Sequence, residues 1–337
     1  MSWLSDDDAD QWSEYDESAA KVRPNRRGTK PRTKQRPAHA DAVPGFVVGV
    51  DRGRYTVVLG DGFEDGTTVT ATAARELGRG AIVTGDHVLL VGDVSGGEGT
   101  LARIVRVEPR STLLRRSADD TDAVERIIVA NADRMLIVVA SADPEPRPRL
   151  VDRYLVAAVD AGIEPILVMT KTDLADPGPF LETFAGLDLR VVRSSEADPP
   201  LAELTEIVQD HVVVAVGHSG VGKSTLVNAL VPEAGRATGA VNSVTGRGRH
   251  TSSSTVAYRL GSGWIVDTPG VRSFGLGHVD PANVLRGFPD LEPVAEECPR
   301  GCTHAADEPE CALNEAVAAG TLSAARVDSF QRLLAVL

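Results

Sequence analysis

Gly217, His218, Ser219, Gly220, Val221, Gly222, Lys223, Ser224 and Thr225 follow the apolar run HVVVAV and lead into STLVNALV, satisfying G-x-x-x-x-G-K-[ST]. A strand-to-helix turn of that composition is built to hold phosphate. Its glycines let backbone N–H groups curl around the α and β phosphates at the positive end of a helix. Lys223 can reach the β and γ phosphates, and the Ser224 hydroxyl can enter the shell of a Mg²⁺ ion. Downstream, DTPG (267–270) ends the apolar run GWIV. An acid at a strand end can hold the same Mg²⁺ from the opposite side, the role expected of Asp267, and the Gly270 amide can meet the γ-phosphate.

A second constellation names the base. TKTD (170–173) closes the run EPILVMT. Asp173 can accept hydrogen bonds from both N1–H and the 2-amino group of guanine, a pair that adenine does not offer. Lys171 can lay its aliphatic stem along the base, and Thr170 completes the motif. RSSE, after the next apolar run, can supply backbone donors to the base oxygen from Ser194 and Ser195. This base loop precedes the phosphate loop in the chain, the reverse of the usual order. Ligands of a nucleotide-binding sheet meet the carboxyl ends of its strands, so loops after neighbouring strands converge whatever their order. The reversal relocates the termini and points to a circularly permuted GTPase.

Hydrolysis needs a positioned water. The residue after DTPG is Val271, which carries no polar atom, so the glutamine that commonly orients the water in this place is missing. The Gly-rich polar stretch GRGRHTSSST (246–255) lies between the phosphate loop and Asp267 and has the composition of a switch loop. Thr251 or Ser252 can close on Mg²⁺ through a hydroxyl. His250 is the leading candidate to place or polarise the water; contact with RNA or solvent is the alternative for His250, Arg247 and Arg249. Slow intrinsic turnover and activation by a partner that orders this loop are expected.

Cys298, Cys302 and Cys311 are the only cysteines, and His304 stands among them as C-x3-C-x-H-x6-C. Three thiolates and an imidazole make a complete tetrahedral set for structural Zn²⁺, with no position left open for catalysis.

These residues require elements to hold them. RMLIVVAS, EPILVMT, LRVVRSS and HVVVAVG are near-continuous apolar runs, as in strands covered on both faces. The intervening RLVDRYLVAAVDAG places Leu150, Tyr154, Leu155 and Val159 at helical spacing, so a parallel α/β sheet is expected. Ahead of it, five short β segments between Val43 and Glu108 predict a small barrel of OB type, a surface for oligonucleotides, joined to the sheet by the linker RSTLLRRSADDTD. The expected division is a tail over 1–42, an OB-fold over 43–110, a GTPase domain over 118–285 and a helical zinc-binding domain over 286–337.

The formal charge of −13 argues against a nucleic-acid partner only on the scale of the whole chain. Residues 21–36 carry eight basic residues and no acid behind an acidic stretch. The tail therefore reads as a solvated disordered segment or as a basic arm that folds onto RNA. No apolar run approaches the roughly 20 residues of a membrane helix, and a cytoplasmic protein is expected, with nothing demanding more than a monomer.

The permuted motifs together with the cysteine cluster resemble the ribosome small-subunit-dependent GTPase A family (RsgA, also called YjeQ). The resemblance covers about residues 43–337 and rests on ANADRMLIVVAS, VDRYL, TKTD, GHSGVGKSTLVNAL, GRGRHTSSST, DTPGVRSFGL and CTH. It implies an N-terminal OB-fold, a permuted GTPase domain and a zinc domain. It further implies late maturation of the small ribosomal subunit, with hydrolysis stimulated by that subunit, and supports His250 near the water. The chain departs from the family at Thr170, where Asn is usual, and in its zinc spacing, where C-x4-C-x-H-x5-C is more frequent. Two other readings stand beside this one: a nucleotide-dependent RNA-binding switch with little hydrolysis, and an ATP-using P-loop enzyme.

Overall fold

The computed structural model describes residues 39–62, 66–78, 82–117, 125–185, 187–232, 255–268, 279, 281–286, 288 and 290–335. The expected tail falls almost wholly on residues outside this set.

Five strands form the barrel: β1 (Val43–Asp51), β2 (Arg54–Leu59), β3 (Thr68–Ala73), β4 (His87–Gly92) and β5 (Ala102–Val107). They pair in the ring β1-β2-β3-β5-β4-β1, antiparallel except for the parallel β3–β5 pair. That ring is the closed Greek-key order of an OB-fold. Alternate residues point inward, and Val47, Val57, Val69, Leu90 and Ile104 fill the interior. Gly45 is required there, because a Cβ would lie 2.6 Å from Val57 Cγ1 and 2.7 Å from Leu90 Cδ1.

The outward residues of β1 serve a second core. Phe46 and Val48 join a different apolar cluster from Val47, and the Phe46 ring lies 5.2 Å from that of Trp264. Trp264 Nε1 donates to Gly62 O at 2.6 Å. One outer side of the barrel is thereby used against the nucleotide-binding sheet and is withdrawn from any ligand.

The described part of the expected linker, residues 110–117, is structured instead. β6 (Leu113–Ser117) pairs antiparallel with β7 (Glu125–Ala130). Its apolar pair explains why: Leu114 is buried with Val129 in the cluster shared by barrel and sheet. Asn131 fastens the base of the hairpin, accepting from Ser111 N–H and donating to Gly85 O, both at 2.8 Å.

The sheet runs β10-β9-β8-β11-β13-β12, with β8 (Arg134–Ala140), β9 (Glu164–Thr170), β10 (Arg190–Arg193), β11 (Val212–Val216), β12 (Val256–Leu260) and β13 (Gly263–Asp267). All neighbours are parallel except β12–β13. Successive residues of each strand enter opposite cores, which is why the runs are apolar throughout. Leu136, Val138, Ile166, Val213 and Ile265 face α3 (Leu201–Val208) and α4 (Lys223–Leu230). Met135, Ile137, Val139, Leu167 and Val214 face α1 (Pro148–Asp160). A short helix, α2 (Gly178–Glu182), follows β9.

Four more helices complete the described chain: α5 (Pro281–Arg286), α6 (Glu292–Ala295), α7 (Ala312–Ala318) and α8 (Ala324–Leu334). They share the core on the α1 face through Leu291, Cys311, Leu313, Phe330 and Leu333.

Arg332 of α8 reaches Asp152 of α1 at 3.3 Å and also donates to Thr183 O at 2.9 Å. Asp152 is 1% exposed, and its Oδ1 has no hydrogen-bond partner. Burial outweighs Arg332 and lifts this carboxyl to about 6, with Asp328 adding a like charge. Because the folded value lies above the unfolded one, the stability Asp152 contributes is full below pH ~4 and is lost as pH rises through 6. The rise from the ordinary value to about 6 corresponds to about 3 kcal/mol. Asp152→Asn is expected to stabilise the protein by about 1–3 kcal/mol at pH 8 and by about half as much at pH 5. Urea unfolding at both pH values checks this, and an equal difference at both would refute it.

Candidate nucleotide site and metal centre

The phosphate loop joins β11 to α4 at the carboxyl edge of the sheet. Gly217 is buried, and a Cβ there would stand 2.5 Å from Val138 O. Gly222 has φ 90° and passes directly into α4, so the helix begins where a side chain would be strained. His218 Nδ1 donates to Ser219 O at 2.9 Å. His218 and Gly222 are half-buried, Ser219, Gly220, Ser224 and Thr225 are exposed, and Val221 is packed into the α4 core.

Lys223 is 7% exposed and its Nζ lies 2.6 Å from Asp267 Oδ1 at the end of β13. The pair connects the two residues assigned to phosphate and Mg²⁺. A polar group so buried needs a partner, and here that partner is the carboxylate expected to face the cation. Next to it, buried Thr268 donates its hydroxyl to Ala215 O at 2.8 Å. This pins the chain to β11 as it leaves β13, a role that one residue of the DTPG pattern did not reveal.

The base loop follows β9. Thr170 is buried, and its Oγ1 lies 2.5 Å from Val221 O and 3.2 Å from Val139 O. The hydroxyl thus bridges β8, β9 and the phosphate loop, so the departure from Asn retains a tie to that loop. Lys171 has φ 54° and donates to Asp143 O across the loop after β8. The left-handed turn at Lys171 brings Asp173 out to solvent at the same edge of the sheet.

The two serines differ. Ser194 is buried, and its N–H is committed to Met169 O at 2.8 Å, so it is not free to meet the base oxygen. Ser195 N–H makes only a 3.5 Å contact with Asp198 O and is the available donor. His250, Thr251 and Gly270, with Ser252, Val271, Arg247 and Arg249, lie outside the described residues.

On the far side of the α1 core, Cys298, Cys302, His304 and Cys311 converge, with all four ligand atoms within 4.8 Å of one another. His304 Nδ1 lies 3.5 Å from Cys298 Sγ, 3.5 Å from Cys302 Sγ and 3.8 Å from Cys311 Sγ, and Cys298 Sγ is 4.0 Å from Cys311 Sγ. Tetrahedral Zn²⁺ with ordinary bond lengths sets S···N near ~3.6 Å and S···S near ~3.8 Å, so the donor set fits. The unusual spacing closes because Gly301, His304 and Glu310 all turn with positive φ. Burial, with the neighbouring thiols, pushes the Cys302 thiol up to about 11, and burial holds His304 below its ordinary value. A divalent cation reverses the balance for the thiols. The ring of His304 rests 5.9 Å from that of Phe330, tying the cluster to α8.

A family model described as RsgA GTPase matches residues 107–277. The Small ribosomal subunit biogenesis GTPase RsgA 1 of Vibrio vulnificus is 37% identical over 265 residues, covering 75% of this chain and 74% of that protein. The Small ribosomal subunit biogenesis GTPase RsgA of Chlorobaculum parvum is 34% identical and covers 87% of this chain and 98% of its own. The crystal structure of YjeQ from Thermotoga maritima superposes with a TM-score of 0.64 at 26% identity, over 87% of this chain and 98% of that one. Motifs, permuted sheet and barrel agree with these matches, and the chain belongs to the RsgA GTPase family.

Proposed function

We propose that this protein hydrolyses GTP to GDP and phosphate and acts, in the cytoplasm and as a monomer, in late maturation of the small ribosomal subunit. Family membership makes it a GTP-hydrolysing enzyme, and its relatives are named for small-subunit biogenesis. The observation that carries the reading is the Lys223–Asp267 pair at 2.6 Å, at the same sheet edge as Asp173. Phosphate, cation and guanine groups are thus gathered by one set of strand ends.

In this reading the backbone of residues 217–222 cradles the phosphates while Lys223 neutralises their charge. Thr170, Lys171, Asp173 and Ser195 hold the base, with Ser194 fixing the loop that carries Ser195. Ser224, Asp267 and Thr251 would hold Mg²⁺, which when bound spreads the negative charge of the phosphates. His250 orients the water, Val271 being unable to. Residues 43–110 and 286–337 grip the 16S rRNA and ribosomal proteins, flanking a GTPase domain of 118–285, and the Cys3His cluster binds one structural Zn²⁺.

The test is steady-state GTP hydrolysis with and without purified small ribosomal subunits, beside His250→Ala. A rise of at least roughly tenfold with subunits, abolished by the substitution, is expected for a loop ordered by its partner. An unchanged rate in the native protein would favour a nucleotide-dependent RNA-binding switch instead.

A further inference from the structure

Between the two loops assigned to guanine runs one direct bridge. Thr172 uses both its backbone N–H and its Oγ1 on the same acceptor, Ser194 O, each at 3.2 Å. The acceptor is itself anchored, because Ser194 is buried and its N–H is held by Met169 O of β9. Asp173 comes immediately after Thr172, and Ser195 immediately after Ser194. The bridge therefore stands one residue before each of the two groups that would read the base.

We infer that Thr172 is a positioning residue for guanine specificity: its hydroxyl fixes the separation of the Asp173 carboxylate and the Ser195 amide. The inference rests on the GTP reading of the site. Asp173 is exposed and Ser195 half-buried, so neither is set by packing. Ser195 has only a 3.5 Å backbone contact with Asp198 O and a hydroxyl that accepts from Asp198 N–H at 3.0 Å. The phosphate side has its own tie through Thr170 and Val221 O. Two threonine hydroxyls thus divide the bracing, Thr170 toward phosphate and Thr172 toward the base, so loss of the second should spare the first.

Thr172→Val keeps size and the backbone bond but removes the hydroxyl. Losing one neutral hydrogen bond predicts a roughly three- to tenfold weaker affinity for GDP. The affinity for ADP, which does not use Asp173 and Ser195 together, should hold. At saturating GTP kcat should be unchanged while KM rises, and Thr172→Ser should restore both KM and the GDP-to-ADP ratio. Equal losses for GDP and ADP, or failure of serine to rescue, would overturn the inference and leave Thr172 a general stabiliser of the loop. Should the valine variant unfold, Thr172→Ala takes its place, and a GDP-to-ADP ratio equal to the native one would overturn the inference. If the native protein itself shows no preference for GDP over ADP, the GTP reading falls first and this inference with it.

Discussion

Lys223→Ala is expected to cut GTP hydrolysis by at least about 10²–10³-fold, the loss typical of removing one preorganised charge from a transition state. The same substitution should also act without nucleotide. Lys223 is 7% exposed and bonded to Asp267 at 2.6 Å, so truncation strands a carboxylate whose side chain is 24% exposed. Water at Asp267 moderates the cost, which is therefore well below the ~3–5 kcal/mol of a fully buried broken pair. A double-mutant cycle with Asp267→Asn, read by urea unfolding in nucleotide-free buffer, should return a positive coupling. GTP should erase much of that coupling, because phosphate competes for the ammonium. Additive effects in free protein would mean that the pair is incidental and that Lys223 serves only the phosphates.

This pair marks how far the sequence could be read. Lys223 and Asp267 each followed from a motif with a chemical reason, and the strand ends that carry them followed from runs apolar on both faces. Their bond to each other did not, because the spacing of two motifs says nothing of which group the lysine side chain turns to. Thr172 escaped for a related reason. Its contact is to a backbone carbonyl, Ser194 O, and a carbonyl leaves no signature in residue types. Ser194 shows the converse, since a backbone donor proposed for the base is already spent on the sheet.

One larger misreading came from a shared core. RSTLLRRSADDTD reads as a linker because Leu113 and Leu114 are flanked by charges, yet Leu114 finds its partners in barrel and sheet together. The last fifty residues share the same interior. Phe330 and Leu333 complete a core whose other half is Tyr154 and Val151 of α1. A periodicity argument assigns each element its own face and cannot see that two weak faces are halves of one interior. The same arrangement consumes one side of the barrel through Phe46 and Trp264, which narrows where an RNA could lie.

That shared core shapes the second large effect. Chelation of Zn²⁺, or Cys298→Ser, is expected to destabilise the Cys/His lobe by a substantial fraction of the ~10–16 kcal/mol that structural zinc supplies in isolated fingers. The loss should stop short of the whole, because Cys311, Leu313 and Phe330 remain packed against the α1 side of the sheet. Cys298 is the better target than Cys311, which is 1% exposed and whose replacement would also bury a hydroxyl. If the metal alone is responsible, chelated native protein and Cys298→Ser should melt together, each well below untreated protein, and elemental analysis should find one zinc per native chain and little in the variant. GDP binding should persist at temperatures where α8 has come away, since the phosphate loop stands on the opposite core formed with α3 and α4. A native protein that contains no zinc and melts unchanged in chelator would remove the metal. The lobe would then be held by packing alone, chiefly the edge-on contact of Phe288 with Phe330 at 5.3 Å and the Arg326–Asp290 pair beside it.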